Sequence, residues 1–473
     1  MADLVEIFKA YDVRGVVPDQ LDEPTAQLIG AAFAAEVDAP RVVMGHDMRA
    51  SSPGLAAAFA EGVRDTGADV TMIGLASTDE LYFTSGHLGL PGAMITASHN
   101  PARYNGIKLC RAGAVAMAAE TGLRAIRDRV ASQTPASPLD CSRLGAPQLR
   151  VAQRSSPERP TSQRRGALDH LDVLADYASH LHSLVSVRGR RLHVVVDAGN
   201  GMAGHTVPAV FADLDVELSR LYFELDGTFP HHQANPLEPA NLADLRHAVV
   251  AGDADLGLAY DGDADRCFAV DERGEVVSPS ALTALIAIRM LAVEPGARII
   301  HNLITSRSVP ETIDRHGGIP VRTRVGHSLI KATMAETDAA FGGEHSGHFY
   351  FRDFWYADSG MLAALHLLAA VAESPEPVSG LLADLDPYVA SGEVNSEVAD
   401  TGRVIDRVRE EYGGRTDIQL DSLDGLTVCS ERWWFNVRAS NTEPVLRLNV
   451  EADTDETMVD IRDQVLALMR RPP

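Results

Sequence analysis

The strongest constraint on how this sequence can fold is a rhythm: short apolar runs alternate with Ala- and Leu-rich stretches of helical spacing. Arg41–Gly45 reads as a strand, Ser51–Thr66 follows with helical periodicity, and Ala68–Ile73 reads as the next strand. The order recurs at Arg191–Asp197, a helix and Val216–Glu224. It recurs again at Arg298–Leu303, a helix near Ser308–His316, and Pro320–Val325. Parallel strands need a crossover, and a helix packed on the sheet supplies it with right-handed connection. The pattern predicts three α/β units with parallel or mixed sheets. No strict sequence repeat accompanies it.

The C-terminal part changes character. Gly413–Val428 and Arg432–Val450 read as antiparallel strands, and Thr454–Met469 as a closing amphipathic helix, which predicts a smaller α+β domain. A chain of 473 residues has room for three or four domains of about 100–200 residues each. Ala131–Gly166 is rich in Ser, Pro, Gln and Arg and lacks periodicity. Its Cys141–Gly166 part carries six arginines and one glutamate and reads as an exposed linker or inserted loop, a basic interaction tail being the alternative. The expected units are 1–140, a linker 141–166, 167–275, 276–385 and 386–473.

A formal net charge of -24 disfavours nonspecific binding to nucleic acid or an anionic membrane, while leaving room for one locally basic cleft. Cys110, Cys141, Cys267 and Cys429 form no Cys-x-x-Cys pair, so free thiols in a reducing compartment are expected, without a zinc site. Met1–Gly15 lacks the pattern of a secretory signal. Leu282–Val293, interrupted by Arg289, is too short to span a bilayer. The expected location is cytoplasmic.

Five segments carry candidate chemistry. Thr96-Ala-Ser-His-Asn-Pro101 follows an apolar strand and places the Ser98 hydroxyl on a turn, either as a nucleophile or phosphoryl carrier or as an ordinary turn residue. Asp261-Gly-Asp-Ala-Asp-Arg266 brings three carboxylates together at alternate positions, a donor set suited to Mg²⁺ or Ca²⁺. An EF-hand is the rival there, because Glu272 falls at loop position twelve. Arg266 stands where that loop needs Gly, and the flanks read as strands. Gly343-Glu-His-Ser-Gly-His348 offers Glu344 and Ser346 to sugar hydroxyls, with a plain turn as the alternative. Arg438-Ala-Ser-Asn-Thr-Glu-Pro444 combines an Arg fork with hydroxyl and amide donors, either a phosphate cradle or a polar hairpin loop. Gly199-Asn-Gly-Met-Ala-Gly204 fits the dinucleotide pattern G-x-G-x-x-G, but nothing else suggests hydride chemistry, and a tight strand-to-helix turn explains it.

The first four segments, in this order, resemble the α-D-phosphohexomutase family, most closely its phosphomannomutase/phosphoglucomutase branch. Tyr11-Asp-Val-Arg-Gly15, Asn105-Gly-Ile-Lys108 and Gly326–Lys331 extend the likeness over nearly the whole chain. The resemblance implies three related α/β domains with mixed sheets and a C-terminal α+β domain around a central cleft. It implies a Mg²⁺-dependent enzyme, an intramolecular phosphotransferase, moving a phosphoryl group between O1 and O6 of a hexose phosphate. Ser98 would be the phosphoserine; Asp261, Asp263 and Asp265 would hold Mg²⁺, with the Ser98 phosphate as a further ligand. Glu344 and Ser346 would contact the sugar, and Arg438, Ser440, Asn441 and Thr442 the nonreacting phosphate. Tyr11 and His327 would also bind substrate. Arg14, Lys108, Arg266 and His348 would stabilise charge or move protons, with His99 beside them. A hexose 1,6-bisphosphate would be the intermediate or activator. The leading expectation is a phosphomannomutase, with a phosphoglucomutase or a dual-specificity enzyme as the alternative and a noncatalytic sugar-phosphate binder as the remote one. The enzyme would be a monomer or homodimer, with no nucleic-acid or membrane partner. His345 and Glu443 occupy positions that vary in the family and leave sugar choice open.

Overall fold

The structure, a computed structural model, describes residues 4–133, 164–440 and 445–471. Nearly all of the 141–166 segment, and Asn441 and Thr442, fall outside the described residues, as does the side chain of His327.

Among the described residues there are four sheets, three mixed and one antiparallel. In the first, Gly92–Ile95, Arg41–His46 and Asp69–Leu75 run parallel, and Tyr104–Arg111 turns back antiparallel beside Gly92–Ile95. Val13–Val16 adds outside Tyr104–Arg111. The second repeats this plan with Leu256–Tyr260, Leu192–Asp197 and Val216–Leu221 parallel and Cys267–Asp271 turned back. The third repeats it with Phe341–Gly343, Arg298–Asn302, Ile319–Thr323 and the returning Phe349–Phe351. The predicted rhythm is therefore a true structural repetition, carried by strand order and helix placement. Leu168–His170 pairs in parallel with Asp69–Leu75, so the first sheet draws a strand from beyond residue 166.

The fourth sheet is antiparallel throughout, in the order Val389–Glu397, Val445–Ala452, Trp433–Ala439, Leu426–Cys429, Gln419–Asp421. Gly413–Val428, expected as strand, is mostly turn: it holds Gln419–Asp421 and the start of Leu426–Cys429. Its first glycine ends a helix, Thr401–Tyr412, and Gly425 takes φ +69° in the connecting turn. That helix buries Val404, Val408 and Tyr412, a stripe at spacing four.

One consequence of the repeated plan positions the site. In each of the first three sheets, the loop between the last parallel strand and the returning strand occupies the same topological place. These loops span 96–103, 261–266 and 344–348. The first three predicted site segments lie on these connections or at their edges, and of the fourth Arg438 and Ala439 end the strand Trp433–Ala439.

The first three domains share apolar packing. The helix Gly360–Glu373 is buried on every side from Gly360 to Ala372, as an all-apolar helix must be. Its cluster joins Val43 and Phe83, Val194 and Leu258, and Phe341 and Phe351 from three sheets and their helices. The fourth sheet has a separate core. Among the described residues no helix is long and apolar enough to cross a membrane. Cys110, Cys267 and Cys429 are free thiols.

Asp79 sits where the three domains meet. It is 1 % exposed, and its carboxylate accepts hydrogen bonds from Ser77 Oγ, from Tyr177 Oη at 2.6 Å and from Ser359 Oγ at 2.9 Å. Burial pushes its pKa up to about 7 despite these donors. The folded state thus binds a proton more tightly than the unfolded chain. The stability this contributes is complete below about pH 4 and lost as pH rises through about 7. Asp79→Asn should flatten that fall. The check is the urea midpoint at pH 5 and pH 8, with wild type losing more between the two than the variant.

Candidate active site

Ser98 stands at the tip of the first hairpin loop in the left-handed conformation, φ +50°. Its Oγ donates to Asp261 Oδ2 at 2.6 Å and lies 3.1 Å from His99 Nδ1. The serine loop therefore meets the aspartate loop directly. The approach is close enough that a Cβ on Gly262 would come 2.4 Å from the Ser98 carbonyl oxygen. Gly201 packs on the other side, where a Cβ would meet the Gly262 carbonyl oxygen at 2.8 Å. The G-x-G-x-x-G segment is thus a spacer against the aspartate loop.

Strain at Ser98 is held by a residue the sequence reading did not single out. The Arg49 guanidinium donates to four backbone carbonyls: Ser98 and Asn100 at 2.7 Å, Pro101 and Tyr104 at 3.0 Å. Arg49 is 1 % exposed, pairs with Asp47 at 3.2 Å, and lies 5.0 Å over the Phe229 ring of the second domain. Its only local signal is Asp47-Met-Arg49 after a strand.

Asp261, Asp263 and Asp265 are all buried, and each offers an oxygen within 4.8 Å of the others. Arg266 Nη2 pairs with Asp261 at 2.8 Å. Lys108 Nζ, from the first domain, reaches Asp263 at 2.6 Å and Asp265 at 2.5 Å. Thr78 Oγ1 donates to Asp263 at 2.5 Å. Burial pushes Asp263 upward, but Lys108, Thr78 and Arg266 outweigh it and its pKa is lowered. Asp265, buried and beside Asp263, rises to about 6. Asp263 Oδ1 and Asp265 Oδ1 are buried with no hydrogen-bond partner. Two orphaned anionic oxygens beside a third carboxylate suit a hard divalent cation. The EF-hand rival fails: the flanks are strands, and Glu272 accepts from Ser379 N at 3.1 Å instead of closing the loop.

A cleft of roughly 520 Å³ opens here, lined by Tyr11, Arg14, Tyr82, Ser98, His99, Lys108, Asp265, His348 and Asp358 among others. A larger cavity of roughly 670 Å³ shares Ala10 and Tyr11 with it but contains none of the three loop aspartates. Arg14 donates to Asn100 Oδ1 and Asp12 Oδ2, both at 2.5 Å. His348 Nδ1 lies 2.9 Å from Asp358 and 3.9 Å from Asp265. Burial opposes the charge on His348, but Asp265 and Asp358 prevail and raise its pKa. For His99 burial dominates, aided by Arg266 and Arg14, and its pKa is well lowered.

Glu344 accepts from Tyr350 Oη at 2.7 Å and from Ser346 Oγ, Asn302 Nδ2 and the Gly326 N–H, each at 3.3 Å. Tyr11 reaches across from the first domain: a Cβ on Gly326, whose φ is +139°, would lie 2.6 Å from its hydroxyl. Asn302 Oδ1 accepts from Ile304 N and Thr305 Oγ1, so its Nδ2 is the donor at 3.0 Å to His345 Nδ1. Burial, with Arg438 and Arg447 nearby, holds the His345 imidazole down at about 3. His345 is therefore neutral at pH 7.

Arg438 is buried on the fourth sheet and donates to Asn449 Oδ1 at 2.9 Å and Glu393 Oε2 at 2.7 Å. The Ser440 N–H donates to the Val445 carbonyl at 2.9 Å.

Comparisons with known proteins cover nearly the whole chain. Residues 5–137, 175–274 and 278–388 match alpha/beta/alpha domains I, II and III of the phosphoglucomutase/phosphomannomutase family, and residues 369–468 match its C-terminal domain. A protein of Xanthomonas campestris named as phosphohexose mutases is 40% identical over 466 residues, covering 98% of this chain and 99% of that one. A phosphomannomutase of Escherichia coli K12 is 38% identical over 467 residues, covering 97% of each. A crystal structure of a family protein from Burkholderia thailandensis has TM-score 0.86 at 32% identity, covering 99% of this chain and 98% of that one. The chain is a member of the phosphoglucomutase/phosphomannomutase family, within the α-D-phosphohexomutases, and an enzyme of the isomerase class.

Proposed function

We propose that this enzyme interconverts mannose 6-phosphate and mannose 1-phosphate through a phosphorylated Ser98 and a 1,6-bisphosphate intermediate. The observation that carries the reading is Ser98 Oγ at 2.6 Å from Asp261, beside Lys108 bridging Asp263 and Asp265. Glucose phosphates are the alternative substrate, singly or together with mannose phosphates. The two sugars differ at C2, and no contact described above is assigned to that carbon. Relatives named phosphomannomutase favour mannose.

In the first half-reaction the Ser98 Oγ–P bond breaks as a bond forms from phosphorus to the free sugar hydroxyl. The hydroxyl proton passes to a base, and Ser98 Oγ takes up a proton. His348 is suited to this traffic, its imidazole held beside the cleft by Asp358 at 2.9 Å. The bisphosphate then turns end for end, and the phosphoryl at its other end returns to Ser98. Lys108, Arg266 and Arg14 offset charge on the moving group. Tyr11, His327, Glu344 and Ser346 orient the sugar, while Arg438, Ser440, Asn441 and Thr442 grip the phosphate that is not reacting. Mg²⁺, held by Asp261, Asp263, Asp265 and the Ser98 phosphate, would polarise the phosphoryl oxygens. The free thiols suit a reducing compartment, the cytoplasm.

Three outcomes are expected. Ser98→Ala should lower kcat by about 10³-fold or more while hexose-phosphate binding measured by calorimetry persists; near-wild-type turnover would refute the covalent role. Asp263→Asn should cost on the order of 10²-fold in activity and raise the Mg²⁺ concentration needed for half-maximal rate. Kinetic comparison of mannose, glucose and glucosamine 1-phosphates, with a trace of 1,6-bisphosphate, should rank mannose or glucose first; a preference for glucosamine 1-phosphate would overturn the assigned substrate class.

A further inference from the structure

The first and third domains face each other across the larger cavity, of roughly 670 Å³, that borders the cleft. One wall comes from the first domain, between Arg111 and Arg124. The other comes from the third: Arg324, the helix His327–Thr337, and Trp355 and Tyr356 beyond the returning strand. The volume is that of a small-molecule site, and the alanines along both walls keep it open.

Its charge runs against that of the chain. Arg111, Arg124, Arg324 and Lys331 line it against one carboxylate, Glu120, in a protein of formal net charge -24. Two of the cations are already paired, Arg111 with Glu36 and Arg124 with Glu120, both at 3.1 Å. Among the described residues the Arg324 guanidinium has no ion pair or hydrogen bond, although it acts on the Tyr11 hydroxyl. Lys331 is 6 % exposed and still has donors to give. Its Nζ lies 2.5 Å from Asp358 Oδ1 and 4.0 Å from the centre of the Tyr82 ring, yet neither Nζ nor Oδ1 makes a hydrogen bond of sound geometry. A buried ammonium carries three donors, and leaving them unmade costs stability. An anion in the cavity would accept from them.

Aromatic side chains supply the other half of the recognition. Trp355 and Tyr356 are consecutive non-glycine residues in the left-handed region, φ +57° and +58°, a conformation that persists only where its surroundings over-determine it. Both line the cavity, with the Trp355 ring stacked on His180 at 5.1 Å, and Tyr11 joins them. Rings and cations around an alanine-lined space match a flat aromatic group that bears a phosphate.

We propose that this cavity is a second ligand site, for an aromatic phosphate the size of a nucleoside monophosphate. Arg324 and Lys331 hold its phosphate, the aromatic side chains hold its ring, and filling the site slows turnover. The coupling runs through Lys331, which stands on the wall of the cavity and 2.5 Å from Asp358 on the wall of the cleft. A phosphate that draws Lys331 away leaves Asp358 without that cation, and Asp358 holds His348 at 2.9 Å. Binding at the cavity is independent of the function proposed above; the effect on turnover rests on it.

The test is calorimetric titration with adenosine 5′-monophosphate (AMP), and separately with adenosine and with ribose 5-phosphate. It uses the full chain alone, and the Ser98→Ala chain saturated with mannose 1-phosphate, so that the cleft is filled and silent. Arg324→Met and Ala335→Trp, the latter filling the cavity from an exposed helix position, are titrated alongside, each checked for cooperative thermal unfolding. AMP should bind saturably in both states, about 10-fold or more tighter than either half of it, and each variant should lose about 10-fold or more. With saturating mannose 1-phosphate, AMP should lower kcat several-fold in wild type and not in Ala335→Trp. Absence of AMP binding, displacement of AMP by mannose 1-phosphate, or wild-type affinity in either folded variant overturns the site; binding with kcat unchanged overturns the coupling. A chain that binds AMP as expected but neither binds nor turns over mannose 1-phosphate leaves the site standing and refutes the functional reading instead.

Discussion

Three carboxylates buried in one six-residue loop set the terms for the rest of this molecule. Asp261, Asp263 and Asp265 are each at most 1 % exposed, and charges so close in a dry site repel unless cations and donors converge on them. The second domain supplies Arg266 from the loop itself, while the first domain must deliver Lys108 and Thr78. Electrostatics at the loop thus demand that two domains meet here, and the packing permits it only through glycines. Gly262 clears the Ser98 carbonyl. Gly360 opens the buried helix where a Cβ would come 2.8 Å from the Arg266 backbone. An alanine at either place would push the loops apart and leave the carboxylates without their partners.

The same demand explains Ser98. A β-carbon residue in the left-handed region costs on the order of 1–2 kcal/mol, and such a conformation persists only where its surroundings over-determine it. Arg49 does this with four carbonyl acceptors on one rigid fork, itself anchored by Asp47 and stacked over Phe229. A lysine has no planar fork and cannot serve four fixed carbonyls. The orientation of Ser98 is therefore a property of the first domain's interior and of its contact with the second, well beyond the serine loop.

This division also accounts for what could be read from sequence. Segments whose packing is local were legible: the aspartate trio, the serine turn, and strands such as Arg41–His46 and Leu256–Tyr260 carry their signal in adjacent residues. Arg49, Asn302, Asp358 and Arg447 act on groups distant in sequence, so neither spacing nor periodicity exposes them. Gly413–Val428 was misread because its polar residues, interspersed with Ile418, Leu420 and Leu423, imitate an alternating strand, whereas its glycines terminate a helix and turn the chain. The structural repetition showed as rhythm and not as repeated sequence because the three equivalent hairpin loops hold different chemistry: a hydroxyl, a carboxylate trio and a glutamate held by Tyr350.

The fourth domain departs from that plan for a physical reason. The first three loops rest on or beside a shared apolar cluster that runs through three sheets, so they cannot shift independently without opening it. The loop bearing Arg438 and Ser440 belongs to a sheet with its own core. Its junction with the third domain is largely polar: Arg307 with Asp453 and the Glu431 carbonyl, Arg322 with Asp421 and Thr427, and one small apolar contact of Leu303 and Ile304 with Trp434. Polar junctions of this kind exchange partners with water at small net cost, whereas an apolar core cannot. On the proposed function, a phosphate grip mounted on such a unit would follow a sugar that reverses its ends, while the hydroxyl, the carboxylates and Lys108 keep their mutual distances. The proposed reaction would need both properties, a fixed centre and a compliant grip, and the two kinds of core would provide them separately.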